Sequence, residues 1–131
     1  MRVLLDTHIA IWAINNDDRL SRIARSILLD PNTDVSVSAS SIWEIAIKHA
    51  IKGKRKGAIP FSGRSALDVF ERAGYNMLAV TPEQTAAVDA LEHLHGDPFD
   101  RLLVTQARML DMQFLTHDKK LQDYGAFVLV I

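Results

Sequence analysis

The sequence predicts an α/β protein of three layers, with helices on both faces of a central parallel sheet of about five strands. Three observations carry that expectation. Short strand-length apolar runs alternate with longer segments of helical periodicity along the chain. The first run, Arg2–Leu5, is continuously apolar after its arginine, as a strand buried on both faces should be. Several helical segments open on their own start signals, of which Thr81-Pro82-Glu83 and Asp97-Pro98 are the clearest.

Taken in order, strand one (Arg2–Leu5) ends at Asp6 and leads into a helix over Thr7–Ile14. Arg19–Leu29 is a second helix, with Leu20, Ile23, Ala24, Ile27 and Leu28 at helical spacing and Asp30-Pro31-Asn32 as its stop. Val35–Ser38 is strand two. Ser40 or Ser41 opens a strongly apolar helix that runs to about Lys52, and Gly53–Gly57 is a basic loop. Ser65–Ala73 is helical, Met77–Val80 is strand three, and Thr81 caps the next helix. Asp97 caps a further helix reaching about Leu110. Gln113–Thr116 is strand four, His117–Tyr124 a short helical turn, and Phe127–Val130 strand five.

Composition narrows the function. The chain has 131 residues, 48% of them hydrophobic and 24% charged, which is the profile of one folded domain over residues 1–131. A formal net charge of −1 gives no global basic field, so any nucleic-acid contact must come from a local patch. The chain has no cysteine, which excludes disulfides, thiolate metal sites and thiol nucleophiles. No apolar run approaches the roughly 20 residues of a membrane span, and the first residues enter a strand without a charged leader. A cytoplasmic protein without a membrane partner is expected. Neither a glycine-rich phosphate loop nor a Gly-x-Ser-x-Gly elbow is present.

Four acids fall at places where a parallel sheet binds ligands, beyond the carboxyl ends of its strands. Asp6 ends strand one, Glu44 lies in the first turn of the helix after strand two, Asp100 in the first turn of the helix before strand four, and Asp118 follows that strand. Each also has a local explanation. Ser41 to Glu44 reads as a capping box, Glu44 can pair with Lys48, Asp97 and Asp100 suit a helix N-terminus, and Asp6 and Asp118 suit turns. As a set they are harder to explain. Two carboxylates about 4 Å apart repel by about 4 kcal/mol at an effective dielectric near 20, so four together require protons or a cation. Oxygen donors without thiolates favour Mg²⁺ or Mn²⁺. On the helix of Glu44 a polar strip of Lys48 and Lys52 leads into Lys54, Arg55 and Lys56, a basic track suited to a phosphate backbone. The histidines show no metal-binding spacing, although His8 and His117 lie beside acids. Trp12 and Trp43 are expected in the core or at an interface.

Four segments, Leu4-Leu5-Asp6-Thr7-His8, Ser38 to Lys48, Asp97 to Leu103 and Leu115-Thr116-His117-Asp118, resemble the PIN-domain ribonucleases, specifically VapC-type toxins, in order and over essentially the whole chain. The resemblance implies a PIN-like fold in which Asp6, Glu44, Asp100 and Asp118 form a catalytic Mg²⁺ or Mn²⁺ site. It further implies that Thr7, Ser41, Thr116 and Asp97 support that site, and that Arg101 contacts substrate or structure. The implied activity is endonucleolytic cleavage of RNA to 5′-phosphate and 3′-hydroxyl ends, with a homodimer silenced by a cognate antitoxin. Two alternatives stay open: a catalytically silent scaffold that binds RNA or protein, and a structure-specific DNA nuclease using the same metal chemistry. A haloacid-dehalogenase-type phosphatase would need an aspartate where His8 stands, and a receiver-like module would need adjacent acids after strand one.

Overall fold

A computed structural model describes residues 1–51 and 57–131, so the expected basic residues Lys52, Lys54, Arg55 and Lys56 lie outside the described residues. The strands are β1 (Arg2–Leu5), β2 (Asp34–Ser38), β3 (Asn76–Leu78), β4 (Gln113–Thr116) and β5 (Val128–Val130). The helices are α1 (Thr7–Ile14), α2 (Arg22–Leu29), α3 (Ala39–His49), α4 (Gly63–Arg72), α5 (Pro82–Ala87) and α6 (Pro98–Met109), with 3-10 turns at Val88–Ala90 and Lys119–Tyr124. The sheet has the order β3-β2-β1-β4-β5 and every pairing is parallel.

Strand alternation sorts the core into two layers. Val3, Leu5, Val35, Val37 and Leu115 pack against apolar residues of α1 to α4, among them Ile9, Trp12, Ala24, Ile45 and Phe70. Leu4, Phe114 and Val128 face the other way, onto Leu103, Val104 and Ala107 of α6 and onto Leu121 and Tyr124. Because neighbours along β1 and β4 bury into opposite layers, both strands need apolar side chains at consecutive positions. The expected three-layer α/β/α architecture with a five-stranded parallel sheet is therefore the observed one.

Helix boundaries follow cap chemistry. Ser21, Ser38 and Ser62 accept backbone N–H bonds at the starts of α2, α3 and α4. Thr81 and Gln84 form a reciprocal capping box on α5. The helix after strand two thus begins at Ala39 under a Ser38 cap, one turn earlier than a Ser41–Glu44 capping box requires, and that box does not exist. Likewise α2 starts at Arg22 rather than Arg19, and β3 ends at Leu78 rather than Val80. Gly74, at φ +82°, turns the chain from α4 into β3, a conformation glycine adopts without a Cβ penalty.

The chain winds outward from β1 through β2 to β3, then crosses back to place β4 on the other flank of β1. β1 is therefore where the winding reverses, and the crevice beyond its carboxyl end is where such sheets receive ligands.

Candidate active site

Asp6 follows β1 directly, at that reversal. Its backbone N–H donates to the Leu115 carbonyl of β4 at 2.9 Å, and its carboxylate caps α1 by accepting from the His8 N–H at 3.1 Å. The other carboxylate oxygen accepts from the Thr116 hydroxyl at 2.6 Å. Thr116 Oγ1 in turn accepts from the Asp118 N–H at 3.1 Å, so one buried threonine sets the acids that end two adjacent strands. Burial pushes the Asp6 carboxyl upward, against the lowering effect of these two hydrogen bonds.

Because α3 begins at Ala39, Glu44 projects from its interior and not from its first turn; it is buried, and Lys48 one turn on donates to its Oε2 at 2.6 Å. The expected pair of Glu44 and Lys48 is present, with Lys48 serving as counter-ion. Ser41, freed from any capping role, lies wholly buried and accepts a 2.9 Å hydrogen bond from the Thr7 hydroxyl. That bond ties the start of α1, beside Asp6, to the helix that carries Glu44.

Asp100 occupies the first turn of α6. Asp97 caps that helix, accepting from the N–H groups of Phe99 at 2.8 Å and Asp100 at 3.3 Å, with Pro98 at the first helical position. The Asp100 carboxyl is pushed up to about 8, chiefly by burial and then by the negative charges of Asp6, Asp97, Glu44 and Asp118. Those four charges come from four separate places in the chain, and their repulsion of Asp100 is the electrostatic signature of the convergence. Asp118 caps the 3-10 turn after β4 through the Lys120 N–H and stays partly open to solvent.

Sequence reasoning missed His95. Its Nε2 lies 3.0 Å from Asp100 Oδ2 and 3.8 Å from Asp118 Oδ2. One ligand atom from each of His95, Asp100 and Asp118 can be chosen so that all three lie within 4.8 Å of one another. The only available signal was its place five residues before Asp100, because the loop that folds it back leaves no periodic pattern.

Arg101 shows the structural one of its two expected roles. Expected to contact substrate or structure, it is buried, and its guanidinium donates to the carbonyls of Glu92 at 2.9 Å and of Leu91 and Val88 at 3.2 Å. It also donates to the Tyr124 hydroxyl at 3.3 Å. Its donors are spent on the segment leading to His95, so it fastens the site's wall and faces no ligand. Trp12 belongs to the core, whereas Trp43 is 60% exposed and meets Phe99 edge-on at 5.2 Å.

The donor set fits a hard divalent cation. Four carboxylates and one imidazole converge with no thiolate among them, and a carboxyl held near 8 by burial and by its neighbours' charge is one a cation would restore to its anionic form. Asp6, Glu44, Asp100 and Asp118 are the residues that would hold it, with His95 at its edge. Among the described residues no helix is long and apolar enough to cross a membrane.

No curated protein matches the chain. Among solved structures it is similar to that of VapBC2 from Rickettsia felis bound to a DNA fragment from their promoter, with a TM-score of 0.70 and 18% identity. That match covers 100% of this chain and 98% of the other, and at such identity the likeness is one of fold. The sequence profile of the PIN domain matches residues 3–126, and over that span the chain belongs to the PIN domain family.

Proposed function

We propose that this chain is a metal-dependent endoribonuclease and the toxin of a toxin–antitoxin pair. The observation that carries the reading is the convergence of Asp6, Glu44, Asp100 and Asp118 at the sheet's point of reversal, with Asp100 pushed up to about 8 by burial and then by the neighbouring acids' charge. These four acids would hold Mg²⁺ or Mn²⁺, which would supply Lewis-acid chemistry for phosphodiester hydrolysis.

The chain's own residues do the positioning. Thr116 holds Asp6 in one rotamer, and the cap at Asp97 aims Asp100 from a rigid first turn. The Thr7–Ser41 bond keeps Glu44 in register with Asp6. His95, against Asp100 and Asp118, is placed to hydrogen-bond a phosphate oxygen or a water at the mouth of the site. Lys48, Lys52 and the run Lys54, Arg55 and Lys56 are proposed to guide the RNA backbone. A cognate antitoxin as silencing partner and a homodimeric toxin belong to the same proposal, and the likeness of fold to the VapBC2 structure supports the antitoxin.

The test is incubation of purified protein with RNA and with DNA, in Mn²⁺ and then in EDTA. Cleavage of RNA alone, abolished by EDTA and by Asp6→Asn or Asp100→Asn in folded protein, is the expected result. Cleavage of DNA would make it a DNA nuclease, and cleavage of neither a binding scaffold. Full activity in either variant would remove the site assignment.

A further inference from the structure

On the α1 side of the acids lies an open bay of about 400 Å³, with Asp6 and Asp118 at one end. Trp12 forms its floor, and around it stand His8, Arg19, His117 and Lys119. The His117 ring meets the indole edge-on, with centroids 5.1 Å apart, and the His8 ring lies 6.2 Å from it. The guanidinium of Arg19 sits 5.0 Å from the indole centroid. Asp17 clamps it at 2.7 Å and 3.0 Å, so its orientation is set before any ligand arrives. His117 is anchored in turn, with Nδ1 3.3 Å from the Ile131 carbonyl. The His8 side chain is 62% exposed and His117 is also exposed, so neither imidazole is needed to fill the core.

An acidic site repels the phosphates of its own substrate, and a strand must be gripped beside it. This bay offers what such a grip requires: planar rings with open faces for a base, and two cations at the rim for phosphate. Its lining is charged and wet rather than continuously apolar, which suits a nucleotide better than an apolar peptide face. A base can lie against a ring only when its own face is free, which selects single-stranded RNA over duplex.

We propose that this bay seats the nucleotide flanking the scissile phosphate of single-stranded RNA. Its base stacks on the imidazoles of His8 and His117, and its phosphate rests on Arg19 and Lys119. The inference rests on the ribonuclease reading above and adds the recognition element.

Binding, measured apart from cleavage, tests it. Fluorescence anisotropy of a short labelled single-stranded RNA is recorded on the Asp100→Asn background, with and without His8→Ala plus His117→Ala. The double substitution should weaken binding about tenfold, the scale expected for loss of one stacked base. His8→Phe, which keeps a ring face, should retain affinity, and Lys119→Glu should weaken binding most at low salt. An RNA made wholly of abasic nucleotides should bind the protein with and without the two histidines equally. Melting temperature and Mn²⁺ affinity of each protein variant should match those of the Asp100→Asn background. Unchanged RNA affinity in the double variant overturns the proposal, and so does an equal loss on abasic RNA; the first result, paired with weakened binding of a protein partner, gives the bay to that partner. Wild-type protein that binds RNA through the histidines yet cleaves none refutes the ribonuclease reading alone. Cleavage with histidine-independent binding refutes this inference alone.

Discussion

Replacing Asp100 with asparagine should stabilise the metal-free protein at neutral and alkaline pH. A carboxyl moved from its ordinary 3.8 to about 8 corresponds to a ceiling of about 6 kcal/mol, at roughly 1.4 kcal/mol per pH unit. The side chain is 17% exposed, and solvent at the mouth together with relaxation of neighbouring acids brings the effect to about 2–3 kcal/mol. Below pH 4 the folded and unfolded chains both carry the proton and Asp100 contributes nothing. Between pH 4 and pH 8 the unfolded chain ionises while the folded chain keeps its proton, so stability falls as pH rises. Above pH 8 the loss is complete and the dependence flattens. Burial raises Asp6 as well, so Asp100→Asn keeps a shallower slope of the same sign. Urea denaturation in EDTA, followed by circular dichroism from pH 5 to pH 9, measures both curves. Saturating Mn²⁺ should restore about 2–3 kcal/mol to wild type and much less to the variant. A wild-type curve flat between pH 5 and pH 8, or identical slopes in the two proteins, would refute the crowding of charge on which the site rests.

Arg101→Met should cost about 3–5 kcal/mol, because it orphans the carbonyls of Val88, Leu91 and Glu92, and Arg101→Lys should recover little of it; urea midpoints decide. Asp97→Ala removes the cap of α6 and should lower stability by about 1 kcal/mol. The same change should reduce cleavage more than it reduces Mn²⁺ affinity, since the first turn that aims Asp100 frays; calorimetric titration beside single-turnover kinetics separates the two. Phe70→Ala opens a cavity in the layer beneath α4 and should cost about 3–5 kcal/mol in the same denaturation assay, with Mn²⁺ affinity in the folded fraction unchanged.

Local chemistry determined much of this protein from its sequence alone. The apolar runs at β1 and β4 are legible because strands buried on both faces leave an unbroken signature, and the caps at Thr81 and Asp97 because they act within four residues. The spacing of Asp6, Glu44, Asp100 and Asp118 relative to predicted strand ends was enough to offer them as one set. Tertiary structure decided what depends on distant partners. Ser41 fits a capping box locally, yet the Ser38 hydroxyl at the end of β2 takes the cap and leaves Ser41 to Thr7. Arg101 follows Asp100 and looks ready for phosphate, but carbonyls 9 to 13 residues upstream claim its guanidinium. Trp12 and Trp43 lie in similar apolar surroundings in sequence, and only packing makes one a floor and the other a surface. His95 carries no pattern at all, since an irregular loop rather than a helix or strand period brings it to Asp100. Sequence periodicity records which face of an element is buried; which side chains meet across the chain depends on how the sheet is wound, and that is settled only when the layers pack.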